Sequence, residues 1–500
     1  MFEIFKVFRD FLWGVPLIVL IVGTGLILTI LTKGYQFRHL GLIIKSAFTK
    51  DKNAGEEGVI PPLEAVSIAI GAAVGVGNVG GVATAIAVGG PGALFWIWVA
   101  ALLGMIIKMA EVTLAVYYRE TDENGEPYGG PTYYMQNGLG KDLGFKGWKI
   151  VAILFGLGFS ITAFITLGNY NTSDALATTF NIPILIPSAL YAVTVLILTI
   201  GGIKKLGKIA KFMVPFMCIF YVGCGLIIIA TNITNLPATL QLVFSSAFTG
   251  HAAVGGFTGV AFAAMIRTGF ARSVYSNEAG WGTSPMIHAS ARTSHPVRQG
   301  MLGAFETFTD TIIVCSITAL VIIITGEWSS GVSGAGLTLN AFQTVMGQGG
   351  RVLLTVCIFF LGVTTASGWY SYFEVLLRHA FGKDSKIKAT VLKFYRLLYP
   401  LPGFLMVLYI VIAQKPGKEV WLFADLATGI PTFINVAVVL ILMPKFLALL
   451  KDYKARYLGI GVVDPEFSVF YEDKMKKEAA KAAAKAGAQT KEKVTVSKEE

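Results

Sequence analysis

Charge is scarce in this chain: 14% of its 500 residues are Asp, Glu, Lys or Arg, against 54% hydrophobic, and the mean hydropathy is +0.66. So little charge cannot cover the surface of a soluble domain, and an integral membrane protein is expected. Cysteine is scarcer still. Cys218, Cys224, Cys315 and Cys357 each lie in an apolar run, where a thiol behaves as a small buried hydrophobe, so neither a disulfide framework nor a metal cluster is implied. The five histidines (His39, His251, His288, His295 and His379) have no ligand-like spacing, which argues against zinc or iron. A membrane enzyme would need a nucleophile with its base, and Ser276 and His288 are too generic to supply one. An ion channel, the rival of a different class, would need a continuous polar or charged lining, which the apolar segments lack.

What the chain has in abundance is uncharged sequence long enough to cross a bilayer, which takes about twenty residues of helix. Residues 11–32 (span 1), 150–173 (span 4), 352–373 (span 9) and 426–444 (span 11) are such windows, and 397–414 (span 10) is just long enough. The run 65–107 is too long for one crossing and is cut by Gly89-Gly90-Pro91-Gly92, giving spans 2 and 3. The lysines at 204, 205, 208 and 211 divide 175–231 into spans 5 and 6, and 301–326, with Glu306 and Asp310 near its start, is span 8. One more crossing between 252 and 292 (span 7) brings the total to about eleven transmembrane helices in an all-α integral membrane fold.

The net charge of +11 is a topology signal rather than a nucleic-acid footprint, because the basic residues occupy alternate loops. Lys33, Arg38, Lys45, Lys50 and Lys52 follow span 1, four lysines separate spans 5 and 6, and Arg378, Lys383, Lys386, Lys388, Lys393 and Arg396 separate spans 9 and 10. Loops 171–183 and 232–250 have none. The positive-inside rule then puts the N-terminus outside and the C-terminus in the cytoplasm of a plasma-membrane protein. Residues 474–500, rich in Ala, Lys and Glu, read as a solvated tail, and no N-terminal signal peptide is expected because the first apolar stretch is too long.

Fifty-six glycines fit helices that approach closely or break inside the bilayer. Span 2 carries Gly71-Ala72-Ala73-Val74-Gly75-Val76-Gly77-Asn78-Val79-Gly80-Gly81, where each glycine costs a helix about 1 kcal/mol relative to alanine. Close helix packing would account for this run alone. A second interruption, Ser276 to Pro285, follows five spans later, and matching breaks point to an inverted repeat with its site at the membrane midplane. Spans 2–6 (residues 58–231) and 7–11 (232–447) would be the halves, preceded by residues 1–57 with the extra first helix and followed by a tail, 448–500. Glu278 sits in the second break, and either a direct role or an ion pair with Arg272 or Arg292 would explain it. In span 9, Thr364 and Thr365 can bond their own preceding turn, or can join free carbonyls as uncharged oxygen ligands for a hard monovalent cation.

Several long motifs in order, Gly89-Gly90-Pro91-Gly92, Gly129-Gly130-Pro131-Thr132-Tyr133-Tyr134, Ser276-Asn277-Glu278-Ala279-Gly280 and His295-Pro296-Val297-Arg298-Gln299-Gly300, resemble the alanine or glycine:cation symporter family from about residue 58 to 447. That resemblance implies a sodium-coupled carrier of small neutral amino acids, working as a monomer in membrane lipid, on the five-plus-five inverted repeat shared with the bacterial leucine transporter. It implies sodium ligands from the backbone at Gly71, Val74 and Leu361 and from the hydroxyls of Thr364 and Thr365. It places the amino acid against Gly75, Val76, Gly77, Asn78, Ser276, Gly280, Gly282, Thr365 and Trp369. Where such carriers have a glutamine late in span 4, this chain reads Leu167-Gly168-Asn169-Tyr170-Asn171, and Asn169 is the nearest substitute. Proton coupling or exchange is the variant to be distinguished from sodium symport.

Overall fold

The computed structural model describes residues 2–49, 58–164, 167–249, 259–382, 386–413 and 418–481. The start of the expected span 7 (250–258) and most of the tail (482–500) lie outside these. Within a bilayer the backbone must bond to itself, and among the described residues every expected span is helical, apart from breaks in spans 2 and 7. Spans 1, 3, 6, 8 and 9 lie in the long apolar helices Val7–Leu31, Ala93–Tyr117, Gly202–Thr231, Pro296–Ile324 and Ala335–Phe381. Spans 2, 10 and 11 belong to bent pairs: Pro62–Ala73 with Gly77–Gly89 (43°), Lys386–Leu398 with Leu401–Ala413 (42°), and Leu426–Ile441 with Met443–Leu458 (59°). Spans 4 and 5 contain the shorter apolar helices Trp148–Thr162 and Leu185–Thr199, and span 7 is Gly259–Asn277 followed, after a break, by Pro285–His288.

Three features differ from the sequence reading. Span 9 is part of a 47-residue helical run that kinks at Gly347, whose φ of +63° suits only glycine comfortably. A two-stranded antiparallel hairpin, Glu120–Thr121 with Pro127–Tyr128, joins spans 3 and 4, so the loop there is built rather than irregular. The expected boundary between the second half and the tail, at 447–448, falls inside the helix Met443–Leu458, which buries Leu449, Leu450 and Tyr453.

The Ala93–Tyr117 helix is the axle of the molecule. It packs against Gly259–Asn277 and Pro296–Thr307 and is buried on nearly every side, including Lys108 and Glu111, which fall just past the uncharged run. Spans 2 and 6 are joined at one end by an ion pair, Lys211 Nζ to Glu64 Oε1 at 3.0 Å. The site is positioned by spans 2, 7, 8 and 9 meeting where the first two are broken.

Candidate substrate and ion site

The break in span 2 begins at Val74, whose extended backbone ends the helix Pro62–Ala73. Gly75 is required by close approach: a Cβ there would collide with the Thr365 hydroxyl on span 9. Its N–H cannot complete the helix. It is capped by Asn78, whose Oδ1 reaches back three residues to accept the Gly75 N–H at 2.8 Å, as the far residue of a capping box does. The consequence falls four residues back. In an unbroken helix Gly71 O would accept that N–H; here it accepts the Thr365 hydroxyl at 3.2 Å. A methyl placed on Gly71 would lie 3.5 Å from Thr364 Cβ, so Thr364 also packs close to Gly71. The Thr364 hydroxyl donates to Phe360 O and Leu361 O, each at 2.9 Å. Gly71 O and the Thr365 hydroxyl therefore meet at the freed end of the half-helix, next to Val74, while Thr364 bonds its own preceding turn, the alternative that the sequence left open.

The break in span 7 is held differently. Gly280 (φ +86°) and Gly282 (φ +82°) adopt backbone that side chains resist, and both N–H groups donate to the carboxylate of Glu111 on span 3, at 2.5 and 3.0 Å. Asn435 of span 11 closes the bracket, donating to Gly280 O at 2.9 Å and to Glu111 Oε2 at 3.3 Å, and Tyr134 Oη donates to Asn435 Oδ1. Asp310 on span 8 links the two breaks. Its Oδ1 accepts Asn78 Nδ2 at 2.6 Å, and its Oδ2 accepts the hydroxyls of Ser276 and Thr311, both at 2.7 Å.

Between the breaks lies a cavity of about 160 Å³. Its wall includes the expected Gly75, Val76, Gly77, Asn169, Thr365 and Trp369, together with Tyr275, Glu278 and Trp281. Trp281 and Trp369 meet edge to face at 4.9 Å between ring centroids, and Phe159 stacks on Trp369 at 5.4 Å. Asn169 is almost fully buried, donating to Ser188 O at 3.3 Å and accepting from Ser173 Oγ at 2.9 Å.

Four residues expected at the substrate lie behind this wall. Asn78 spends its amide on Gly75 and Asp310, and Ser276 its hydroxyl on Asp310. Gly280 and Gly282, whose amides were expected to be free for a ligand, are held by Glu111. The physical reason is shared: unwound backbone in a bilayer needs fixed partners before any ligand arrives. Glu278 bonds neither candidate arginine; its Oε2 accepts the Thr283 hydroxyl at 2.5 Å, while Arg292 donates to Gly58 O at 3.2 Å. The residues that sequence reasoning missed are Lys108, Glu111 and Asp310. Their signal was present, since ionisable side chains within apolar helices are costly and are retained for a purpose.

A family model described as the sodium:alanine symporter family matches residues 1–464. The chain is 40% identical to the uncharacterized transporter YflA of Bacillus subtilis (strain 168), over 89% of this chain and 92% of that one. It is 37% identical to the sodium/alanine symporter AgcS of Methanococcus maripaludis (87% and 93% covered) and 33% identical to the probable sodium/glutamine symporter GlnT of B. subtilis (94% and 93%). Among solved structures it is similar to MhsT in complex with L-phenylalanine, with a TM-score of 0.49 and 14% identity over 78% of this chain and 100% of that one.

Proposed function

We propose that this chain, which belongs to the sodium:alanine symporter family, is a sodium-coupled symporter of small neutral amino acids working by alternating access. One observation carries the reading: Asn78 strips Gly71 O of its helical partner and leaves it beside Thr365, next to a cavity of amino-acid size. Sodium enters as cargo among the oxygens of Gly71, Val74, Leu361, Thr364 and Thr365.

The substrate is a zwitterion held by dipoles. Its carboxylate takes the N–H groups of Val76 and Gly77, which precede the first bonds of the outer half-helix Gly77–Gly89 at its positive end. Its ammonium takes carbonyls at the negative end of Gly259–Asn277. The tryptophan wall of the cavity favours alanine, glycine or serine over leucine or phenylalanine.

Coupling follows from shared geometry: the ion bridges spans 2 and 9, and the amino acid lies against both broken helices. Inward sodium movement contributes about 2.3 kcal/mol per 100 mV in addition to its concentration gradient. In the proposed orientation the hairpin between spans 3 and 4 faces the cytoplasm, and residues 58–231 and 232–447 move as the two repeats. Uptake of labelled alanine into vesicles, with sodium replaced by potassium, tests the reading; uptake that is indifferent to the replacement would remove sodium from it.

A further inference from the structure

Six ionisable side chains, each no more than 2% exposed, pack together across spans 3, 7 and 8: Lys108, Glu111, Glu278, His288, Glu306 and Asp310. Four are carboxyls and one is a fixed cation. Lys108 is committed, its Nζ donating to Ser284 Oγ and to the main-chain oxygen of Glu278, both at 2.9 Å, and lying 3.6 Å from Glu306 Oε1. His288 completes the surroundings of Glu306, with Nε2 3.0 Å from Oε2 and Nδ1 held 2.7 Å from Gln299 Nε2. Among the described residues Glu111 and Asp310 form no ion pair, but each collects three hydrogen-bond donors.

Glu278 collects fewer donors. Among the described residues its carboxyl receives one hydrogen bond, from the Thr283 hydroxyl. Glu306 and Asp310 on span 8 and Tyr372 on span 9 also face it, and two of these are acidic. The Tyr372 hydroxyl and the Trp281 indole N–H are buried without a partner. Glu278 is also the one carboxyl on the cavity wall among the described residues, and its backbone sits at φ +56°, which an L-residue adopts only under strain. A strained glutamate at the hinge of a broken helix, where glycine would be easier, marks a side chain kept for its chemistry.

We propose that the Glu278 carboxyl is a proton-binding site of the transport cycle, loaded as the cavity closes and unloaded as water re-enters it. The inference rests on the alternating-access reading above. With the cavity open, water solvates the carboxylate; on closure one proton passes from water to a carboxyl oxygen and leaves hydroxide in the bulk. Reopening returns it. Lys108 Nζ is held by Ser284, by Glu306 and by the Glu278 main-chain oxygen, and among the described residues it bonds no oxygen of the Glu278 carboxyl.

The test uses purified full-length protein in a weakly buffered solution containing sodium. Adding alanine should remove about one proton per chain from solution, and alanine affinity should fall as pH rises, by up to about tenfold per pH unit. Glu278→Gln should bind alanine with an affinity indifferent to pH, and Glu278→Asp should restore the pH response with a displaced midpoint; a purely structural glutamate would leave the profiles of wild type and Gln variant alike. Alanine binding with no proton uptake, or equal uptake in the Gln variant, overturns the site while leaving symport intact. If alanine does not bind at all, the symport reading fails, and the site is judged by infrared titration of the substrate-free protein. A protonated-carboxyl band lost in Glu278→Gln supports it; a band unchanged by the substitution overturns it.

Discussion

Asn78 does in this molecule what a ligand-binding residue was expected to do, but one step removed. Its side chain caps Gly75, and the effect is felt at Gly71, whose carbonyl turns to Thr365. Replacing Asn78 by alanine should therefore raise the sodium requirement as well as weaken amino-acid binding, because Gly75 N–H would compete for Gly71 O again. Sodium-dependent stabilisation of the purified variant, measured by thermal shift, reads this directly; an unchanged sodium midpoint would return Asn78 to simple packing. Thr365→Ala removes a hydroxyl from the proposed ion site, and a bond to a charged partner is worth roughly 1.5–3 kcal/mol, so half-saturating sodium should rise about tenfold or more. An unaltered value in both Thr364→Ala and Thr365→Ala would exclude span 9 from the ion. Glu111→Gln turns an amide donor toward the two donors Gly280 N–H and Gly282 N–H, leaving at least one unpaired at a cost of about 1–3 kcal/mol. Its melting temperature should fall even without substrate, and a wild-type value would contradict the bracket.

At the scale of the element, the breaks were legible and their supports were not. Glycine density alone marks 71–81 as a poor helix, and the second interruption at Ser276 to Pro285 falls where the first one's counterpart belongs. Free donors and acceptors could be counted from the sequence, yet which of them a ligand would find could not. Asn78 meets a partner 232 positions away, and Glu111 meets Gly280 across 169, so their occupancy is a property of packing between helices. Trp369 and Thr365 were easier, since they share one helical face four residues apart. Asp310 ties span 2 to span 7 through Asn78 and Ser276, so Asp310→Asn and Asn78→Ala should not be additive. A double-mutant cycle on thermal stability should give a coupling of about 0.5–3 kcal/mol, and zero coupling would separate the two breaks.

The whole molecule is closed on one face by the hairpin between spans 3 and 4, which gathers charges from distant segments. Arg378 at the end of span 9 lies 3.1 Å from Asp122, Lys388 of the next helix 2.5 Å from Glu123, and Lys204 before span 6 pairs with Glu126. The segment expected to be a free tail takes part: Tyr471 is buried against Tyr117 and Tyr118, Glu472 accepts the Thr121 N–H at 2.7 Å, and Lys474 reaches Asp142 at 2.7 Å. Low hydropathy hid this docking, because ion pairs and a single aromatic leave little trace in composition. The hydrogen bond from Lys388 holds the Glu123 carboxyl below its ordinary range. Its contribution is therefore complete above the unfolded glutamate value, about pH 4.3, and is lost as pH falls through the lowered folded value. Salt should weaken the more exposed pairs, Lys204–Glu126 and Lys388–Glu123, too, so hydrogen exchange across residues 118–130 should quicken with acid and with ionic strength; rates unmoved by both would show that the pairs hold nothing. The most direct measurement remains flux. Purified protein in sealed vesicles should concentrate alanine when sodium is directed inward and should stop when potassium replaces it, with Thr365→Ala needing more sodium for the same rate. Accumulation that proceeds equally in potassium would mean that the two broken helices do not hold an amino acid beside a sodium ion.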